Sequence, residues 1–248
     1  MNKIQILHHK EIVFDEKKDF CTLDILPDTC PGIKIQKCRM LPGNSVTPKV
    51  FRQELKMQIF FFTQPGGGIV RAGDRYFPLK EQCVFVPNFD EDSLEISSGF
   101  EPLEYIHIIG PMTEIDLRQM RNCCFVLPKM TYLSDSIEYT ERFTQESGSH
   151  VVSHSILAGR HLGRYTMGWN IGAGPDFIGQ HVHPTLEQWY FMLDGSNFTY
   201  RAGDQNIHVE AGDISFTPHG TYHGSECTSD GFINYVWFEL NRAWEVLD

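Results

Sequence analysis

The feature that most constrains the fold of this chain is an internal repeat. The tetrapeptide Arg-Ala-Gly-Asp occurs at residues 71–74 and again at residues 201–204, 130 residues apart. An aromatic segment that begins with glutamine precedes each copy at the same offset, QIFFF in the first case and QWYFM in the second. A short apolar segment follows each copy and ends in proline, at Pro87 and Pro218. In a chain of 248 residues, this duplication predicts two domains built from the same unit.

The segments inside each unit have the periodicity of β-strands. Phe198–Arg201, Asn206–Val209 and Phe232–Phe238 are short and rich in aromatic and branched residues. Residues that favour turns, namely Gly, Asp, Asn and Pro, separate them at regular intervals. Many short strands with such turns are typical of an all-β sandwich or barrel.

One helix and one polar segment are expected to connect the two units. The helix is predicted over Met112–Asn122, where Thr113 is suited to cap the first turn. The polar segment Ser134–His150 follows it. We therefore expect an N-terminal domain over residues 1–130, and over residues 131–248 a linker followed by a C-terminal domain.

The charge and the apolar content of the chain exclude several classes of function. A net charge of -11 disfavours binding to nucleic acid or to an anionic membrane surface. No run of about 18 apolar residues indicates a membrane span, and the first residues do not resemble a signal peptide, so a cytoplasmic location is expected. The seven cysteines form no CxxC pair, which argues against a zinc ribbon or a disulfide framework. A small molecule is the expected partner, and a homodimer is compatible with the sequence.

Three histidines in the second half have the spacing of metal ligands. His181 and His183 are two residues apart, so on a strand both imidazoles point to the same face. Glu187 follows past a turn, and His223 lies on a later strand. Three neutral imidazoles and a carboxylate leave coordination positions open on a divalent transition metal. We predict one such ion per chain, either Mn, Fe, Ni, Zn or Cu.

This arrangement resembles the cupin superfamily. The segment from Gly212 to His223 fits the second cupin motif, G-x5-P-x-G-x2-H, at every defined position. The first motif, G-x5-H-x-H-x3or4-E-x6-G, fits at His181 and His183 but not at its first glycine. The resemblance implies two cupin barrels in tandem, each a double-stranded β-helix or jelly roll, and a metal only in the C-terminal one.

The fourth ligand has two candidates. Glu187 has the spacing of the family's glutamate from His183, but seven residues rather than six separate it from Gly195. Gln188 satisfies both spacings, yet it is an amide where the family usually has a carboxylate. We favour Glu187, because a carboxylate is the better anionic ligand and a β-bulge can absorb one extra residue.

The N-terminal half lacks the ligand set. An offset of 130 residues places Phe51, Gln53 and Met57 where the second half has His181, His183 and Glu187, and His223 corresponds to Asp92 or Ser93. These side chains do not form a metal site, so the first barrel is expected to be degenerate.

The pocket around the metal is expected to bind a small polar molecule. Arg164 is the candidate clamp for a substrate carboxylate, and aromatic or sulfur-containing side chains are candidates for the wall: Tyr165, Trp169, Trp189, Tyr190, Met192 and Tyr222. The sequence identifies no catalytic residue.

Three classes of function remain open at this point. The first is a redox-neutral isomerase, hydrolase or lyase, in which the metal acts as a Lewis acid on a sugar acid, a keto acid or a similar carboxylate. The second is a dioxygenase that uses iron or copper. The third is a cupin that binds a small molecule without catalysis.

Overall fold

The computed structural model describes residues 4–51, 56–89, 93–141 and 148–243 and divides the chain into two compact units. The N-terminal unit is Val13–Asp135, and the C-terminal unit consists of Met1–Ile12 together with Ser136–Asp248. The first twelve residues thus belong to the C-terminal unit, an arrangement that the repeat does not indicate.

The N-terminal unit consists of two antiparallel sheets with one helix. Its elements are β2 (Phe20–Asp24), β3 (Lys34–Met40), β4 (Ser45–Val46), β5 (Lys56–Gln64), β6 (Ile69–Ala72), β7 (Arg75–Pro78), β8 (Cys83–Val86), β9 (Leu94–Ser97), β10 (Leu103–Pro111), α1 (Glu114–Asn122), β11 (Lys129–Tyr132) and a 3-10 turn (Leu133–Asp135). One sheet has the order β11-β8-β5-β10-β3-β2, and the other has the order β4-β9-β6-β7. Side chains from both sheets form one apolar core.

The C-terminal unit repeats this arrangement, and several of its strands are longer. Its elements are β1 (Gln5–Leu7), a 3-10 turn (His9–Glu11), β12 (Ile137–Tyr139), β13 (Val152–Leu162), β14 (Tyr165–Ala173), β15 (Asp176–Val182), β16 (Leu186–Met192), β17 (Asn197–Ala202), β18 (Gln205–Glu210), β19 (Ile214–Thr217), β20 (Tyr222–Cys227) and β21 (Phe232–Asn241). The main path of its sheet runs β1-β19-β16-β21-β14-β13-β12. Strand β15 pairs with β20, and β17 pairs with β18, β20 and β21.

The two units share a strand order but differ in the origin of one outer strand. Strands β19, β16, β21, β14 and β13 follow one another as β8, β5, β10, β3 and β2 do. Beyond β8 the outer strand is β11, which comes from the end of the N-terminal unit. Beyond β19 it is β1, which comes from residues 5–7. The chain therefore completes the later unit with its first strand.

The repeated tetrapeptide has the same structural role in both units. Ala72 and Ala202 are buried at the ends of β6 and β17. Gly73 and Gly203 follow them with φ of 58° and 61°, in the left-handed region that favours glycine. Each Gly-Asp pair forms the two-residue turn to the next strand, β7 or β18. The repeat is therefore the signature of one hairpin that occurs twice.

The all-β fold class that the sequence predicts is confirmed. The helix is also confirmed: Thr113 is its N-cap, and the Thr113 Oγ1 accepts a hydrogen bond from the backbone N–H of Asp116. Residues 142–147 of the expected polar connection lie outside the described residues. Within the described ranges, no helix has both the length and the apolar character needed to cross a bilayer.

Candidate metal centre

Three histidines of the C-terminal unit meet at one place in the barrel. His181 lies on β15 directly opposite His223 on β20, and His183 follows two residues after His181. The ring centroids are 4.8 Å apart for His181 and His183, and 4.5 Å apart for His181 and His223. One nitrogen from each ring lies within 4.8 Å of the corresponding nitrogens of the other two. Alternation along the extended chain brings His181, on β15, and His183, directly after it, to the same side, while Val182 between them is exposed.

Backbone carbonyl groups hold two of these rings in one tautomer. The Nδ1 of His181 lies 2.8 Å from the carbonyl oxygen of Gly179, and the Nδ1 of His223 lies 2.9 Å from that of Thr221. A carbonyl oxygen only accepts, so Nδ1 carries the proton in both rings. The lone pair is then on Nε2. This second hydrogen bond is the usual support of a histidine that binds a metal.

Burial keeps the cluster neutral. It lowers the pKa of His223 to about 3, and the neighbouring His181 contributes to this shift. It lowers the pKa of His183 to about 4, again with a contribution from His181, and the pKa of His181 is lowered as well. At neutral pH all three imidazoles therefore carry no charge, which is the form that binds metal ions.

One atom of the cluster is consistent with a bound cation. The Nε2 of His223 is buried and has no hydrogen-bond partner among the described residues, although a buried nitrogen with a lone pair ordinarily has one. A cation held by the three imidazoles would satisfy this atom. The donor set of three neutral histidines suits Zn, Fe, Ni, Cu and Mn. The residues present therefore fit the divalent metal that the cupin resemblance implies.

The expectation that Glu187 is the fourth ligand is not met by the geometry. Its carboxylate is 1% exposed and accepts hydrogen bonds from the backbone N–H of His219 at 3.1 Å and from Nη1 of Arg242 at 3.2 Å. The Nδ1 of His219 lies 2.9 Å from the same carboxylate. On β16 the side chains alternate, so Glu187 points to the opposite face from the cavity beside the histidines. The spacing from His183 alone did not reveal this change of face.

Gln188 is the residue that reaches the cavity. Its side chain lines the same space as His181 and His183, and its Nε2 donates a hydrogen bond to Oε1 of Glu239 at 2.8 Å. Of the two candidates, only Gln188 therefore faces the side of the barrel where the histidines lie. Its role as a metal ligand stays a prediction.

A cavity of about 180 Å³ lies beside the histidines. Tyrosine, amide and carboxyl groups supply most of its polar surface. The lining residues are Tyr139, Glu141, Asn170, Ile178, His181, His183, Leu186, Gln188, Tyr190, Tyr235, Trp237 and Glu239. This volume suits a small polar molecule of a few heavy atoms.

The carboxyl group of Glu239 titrates near neutrality. Glu239 is largely enclosed, and part of its surface is open to the cavity. Burial raises the pKa of its carboxyl to about 7, although Gln188 and Thr166 oppose the shift with hydrogen bonds. The Oγ1 of Thr166 donates to Oε2 at 3.1 Å, so both carboxyl oxygens are held in place. A carboxyl group with this pKa is able both to accept and to donate a proton at physiological pH.

Of the seven pocket residues expected from the sequence, the structure brings Tyr190 to the cavity. Arg164 is buried outside the lining, so it is not the expected clamp for a carboxylate. The others are placed elsewhere: Trp189 packs against Phe216 with the rings tilted, Tyr165 stacks on Phe238, Trp169 donates to Asn234, Met192 lies in the apolar core, and Tyr222 is half exposed. Alternation of side chains explains why Trp189 points away from the cavity that Tyr190 lines, whereas Met192 is on the same face as Tyr190 but further along β16.

The sequence analysis missed the acid and amide groups of the cavity. Glu239 and Asn170 were not singled out, nor were Tyr235 and Trp237. A signal for Glu239 was present: it is the one charged residue in the apolar run from Phe232 to Leu240. A charged side chain inside a buried strand is uncommon unless it is paired or functional.

In the N-terminal unit, different side chains occupy the positions that correspond to the cavity and the histidine cluster. Gln58 and His107 correspond to Gln188 and Trp237, and the Nε2 of His107 lies 2.8 Å from Oε1 of Gln58. The Nε2 of Gln58 donates to the carbonyl oxygen of Lys49. Gln53 and Asp92, which correspond to two of the ligands, lie outside the described residues. Met57, which corresponds to Glu187, is fully buried.

Comparisons with known proteins agree with this architecture. A family model described as "Cupin domain" matches residues 169–239. A cupin 2 conserved barrel domain protein from Leptotrichia buccalis is 13% identical with a TM-score of 0.66, and the match covers 96% of each chain. The protein Ylba from E. coli is 11% identical with a TM-score of 0.71, over 97% of this chain and 92% of that one.

A third solved structure with a similar fold is that of an enzyme. The oxalate decarboxylase of Lactobacillus farciminis, in complex with formate, is 10% identical with a TM-score of 0.69, over 96% of this chain and 86% of that one. At this identity the likeness concerns the fold alone. Curated protein sequences give no match to the chain.

Proposed function

Since this chain is a protein of the cupin superfamily, we propose that its C-terminal barrel is a metal-dependent enzyme that moves a proton on a small hydroxy or keto acid without net oxidation. The observation that carries the proposal is Glu239. A carboxyl group with a pKa of about 7 lines the same cavity as His181 and His183.

His181, His183 and His223 would hold the ion through their Nε2 atoms. When bound, a divalent metal supplies a Lewis acid that polarises a carbonyl or carboxylate oxygen of the substrate. The chain itself supplies the rigidity of this site. The carbonyl groups of Gly179 and Thr221 fix two rings, and the hydrogen bond from the N–H of Gly220 to the carbonyl oxygen of His183 holds the backbone of the third.

Glu239 would act as the acid and base. Its ionised form accepts the proton of the hydroxyl-bearing carbon next to the substrate carbonyl, and its protonated form returns this proton to the former carbonyl carbon, while the hydroxyl proton passes to the former carbonyl oxygen. Gln188 and Thr166 bind one carboxyl oxygen each, so the group keeps its orientation through both steps. Because the proton is returned, the sum of the two steps is an isomerisation that needs no external oxidant.

The chemistry of the cavity supports a small oxygen-rich substrate. Tyr139, Tyr190 and Tyr235 supply hydroxyl groups and Asn170 an amide, which suits substrate hydroxyl groups. Arg164 does not line the cavity, so a substrate carboxylate would meet the metal instead. The oxalate decarboxylase with a similar fold acts, by its name, on oxalate, which is also a small carboxylic acid.

The test is hydrogen exchange in heavy water. The protein is purified without a metal-binding tag, its metal is identified by elemental analysis, and it is incubated in D2O with a panel of small hydroxy and keto acids. Proton NMR should show loss of the signal from the carbon next to the carbonyl in at least one of them. The exchange should require the metal, and no oxygen should be consumed.

Glu239→Gln is the decisive variant. It should keep the metal, because the histidines are unchanged, and should lose exchange by at least about a hundredfold, as expected for removal of a general base. Thr166→Val is a matched control that removes one hydrogen bond to the same carboxyl and should reduce the rate much less. Full exchange in Glu239→Gln, or oxygen uptake by the wild type with these acids, would contradict the proposal.

A further inference from the structure

Glu187 is a buried negative charge that the proposed function does not use. Its carboxylate is 1% exposed, whereas the side chains of its partners His219 and Arg242 are 51% and 33% exposed. Removing a carboxylate from water costs several kcal/mol unless charged or polar partners compensate. Here Oε2 accepts the backbone N–H of His219, and Oε1 is within bonding distance of both side chains. All of its partners lie on segments next to the histidine cluster.

The segment that Glu187 binds is the turn between β19 and β20. This turn contains His219, Gly220 and Thr221 and is closed by a hydrogen bond from the N–H of Thr221 to the carbonyl oxygen of Pro218 at 3.3 Å. Gly220 has a φ of 74°, in the left-handed region, which gives the turn its sharp bend.

The same turn contacts two of the three histidines. The N–H of Gly220 donates to the carbonyl oxygen of His183 at 2.9 Å. The carbonyl oxygen of Thr221 accepts from Nδ1 of His223 at 2.9 Å. A shift of the turn would therefore displace the backbone of His183 and rotate the imidazole ring of His223.

Arg242 ties a third segment to the same carboxylate. Its backbone N–H donates to the carbonyl oxygen of Thr185 at 2.8 Å, and its side chain reaches Glu187. The residues before β16 and the residues after β21 are thereby fixed at the place where the turn is held. The carboxylate of Glu187, on β16, thus links this strand to the turn at His219–Thr221 and to the residues after β21.

We infer that Glu187 is a positioning residue of the metal centre: through the turn at His219–Thr221 it holds His183 and His223 in the arrangement that binds the ion. The inference rests on the proposed metal function. In this chain the carboxylate next to the H-x-H pair acts on the metal from outside, through the peptide groups of the turn. Partners of this kind, beyond the ligands themselves, commonly change metal affinity by about 10- to 100-fold.

Asp213 provides a matched control in the same unit. It is also a carboxylate that is 1% exposed, and it also binds two histidine rings, with His8 and His9 Nδ1 each 2.9 Å away. It accepts the backbone N–H groups of His9 and Glu210 as well. These partners lie in the N-terminal segment and at the end of β18, with none of the three metal ligands among them. Loss of either carboxylate should destabilise the barrel, but only Glu187 should affect the metal.

The experiment compares Glu187→Gln with Asp213→Asn by titration of metal-free protein with Co2+, whose visible absorption reports the geometry of its ligands. Thermal unfolding of the metal-free proteins should show a lower midpoint in both variants. Glu187→Gln should weaken Co2+ binding by at least about tenfold and change the shape of the absorption bands. Asp213→Asn should bind Co2+ with the affinity and the spectrum of the wild type. His219→Ala keeps the backbone hydrogen bond and should show a smaller loss, which secures the test if Glu187→Gln does not fold.

The possible failures are distinguishable. If the wild type does not bind Co2+, the proposed function fails and the inference fails with it. If the wild type binds Co2+ but Glu187→Gln binds it equally well with an unchanged spectrum, only the inference is overturned. Equal weakening by Asp213→Asn would also overturn it, because the effect would then reflect general loss of stability. Should Glu187→Gln not fold, wild-type affinity in His219→Ala would overturn it too.

Discussion

The two barrels share one strand order, yet the same two positions line a cavity in one barrel and form a hydrogen-bonded pair in the other. In the C-terminal unit, Gln188 and Trp237 line a cavity beside three histidines. In the N-terminal unit, the residues at these two positions, Gln58 and His107, bind each other. His107 also stacks on Phe60, with ring centroids 4.3 Å apart. The N-terminal position is therefore closed by protein groups that satisfy one another.

The difference teaches that the fold does not decide whether a barrel has a site. Both barrels have an apolar core with large aromatic side chains, such as Phe60, Phe62 and Tyr105 in one and Tyr190, Phe198 and Tyr200 in the other. What differs is whether the polar groups at the end of this core have partners within the chain. Among the residues that the structure describes, the Nε2 of His223 has none, and the Nε2 of His107 has one. A duplicated barrel can thus be closed by a single hydrogen-bonded pair.

The largest effect expected is the loss of metal from one barrel only. The double variant His181→Ala with His183→Ala should reduce bound metal from about one ion per chain to background in elemental analysis. The parallel double variant Gln58→Ala with His107→Ala should keep it. Circular dichroism should show that both proteins remain folded, because the apolar cores are independent of the ion. Metal retained in the first variant, or lost in the second, would break the comparison.

The closed pair of the N-terminal unit should make the protein sensitive to acid. Burial lowers the pKa of His107 to about 4, with Lys34 contributing, while an unfolded histidine titrates near 6.5. Between these values the unfolded state binds the proton and the folded state does not. His107 should therefore lower the free energy of unfolding as pH falls through this window, by on the order of 2 kcal/mol between pH 7 and pH 5.

Chemical denaturation of the metal-free protein at pH 7 and pH 5 measures this effect. His107→Gln removes the titrating group and should show a smaller loss of stability on acidification than the wild type. His161→Gln, at a less buried histidine of the other unit, is a matched control and should behave like the wild type. An equal loss in His107→Gln and the wild type would mean that the acid sensitivity arises elsewhere.

The smallest effect concerns the glutamine that occurs in both barrels. Gln188 stabilises the ionised form of Glu239 by its hydrogen bond, so Gln188→Ala should raise the pKa of Glu239 above its value of about 7. Infrared difference spectra of the metal-free protein against pH follow the carboxyl band, which Glu239→Gln identifies by its absence. Gln58→Ala should leave this titration unchanged. A pKa that stays constant or falls in Gln188→Ala would contradict the geometry of the pair.

The sequence was sufficient to predict the duplication, the fold class and the meeting of His181, His183 and His223. These predictions rest on periodicities that the backbone imposes: two residues on a strand, and one hairpin repeated with the same Gly-Asp turn. The motif from Gly212 to His223 added the register of the third histidine. Such features can be predicted from the sequence because main-chain geometry determines them.

The rest of the site could not be predicted from the sequence, because it depends on which face of its strand each side chain occupies. Glu187 and Gln188 are neighbours, and one residue of register decides which of them points to the cavity. The motif spacing from His183 allowed both, the spacing to Gly195 fitted only Gln188, and the chemical preference for a carboxylate favoured the one that points away. The sequence marks Glu239 as a charged residue in an apolar strand, but its place beside Gln188 follows only from the pairing of β21 with β16, since pairing across a sheet is not encoded in local spacing.

The outer strand β1 has a consequence for the order in which the protein matures. His8, next to this strand, contacts Asp213, which lies 205 residues later. At the usual speed of synthesis, roughly 5–20 residues per second, the strand waits on the order of ten to forty seconds before its neighbour leaves the ribosome. The early barrel has no such delay, because its own outer strand follows it directly in the chain. The barrel with the histidines therefore gains its outer strand last, and substitutions in β1 that weaken its pairing with β19 would impair this final step.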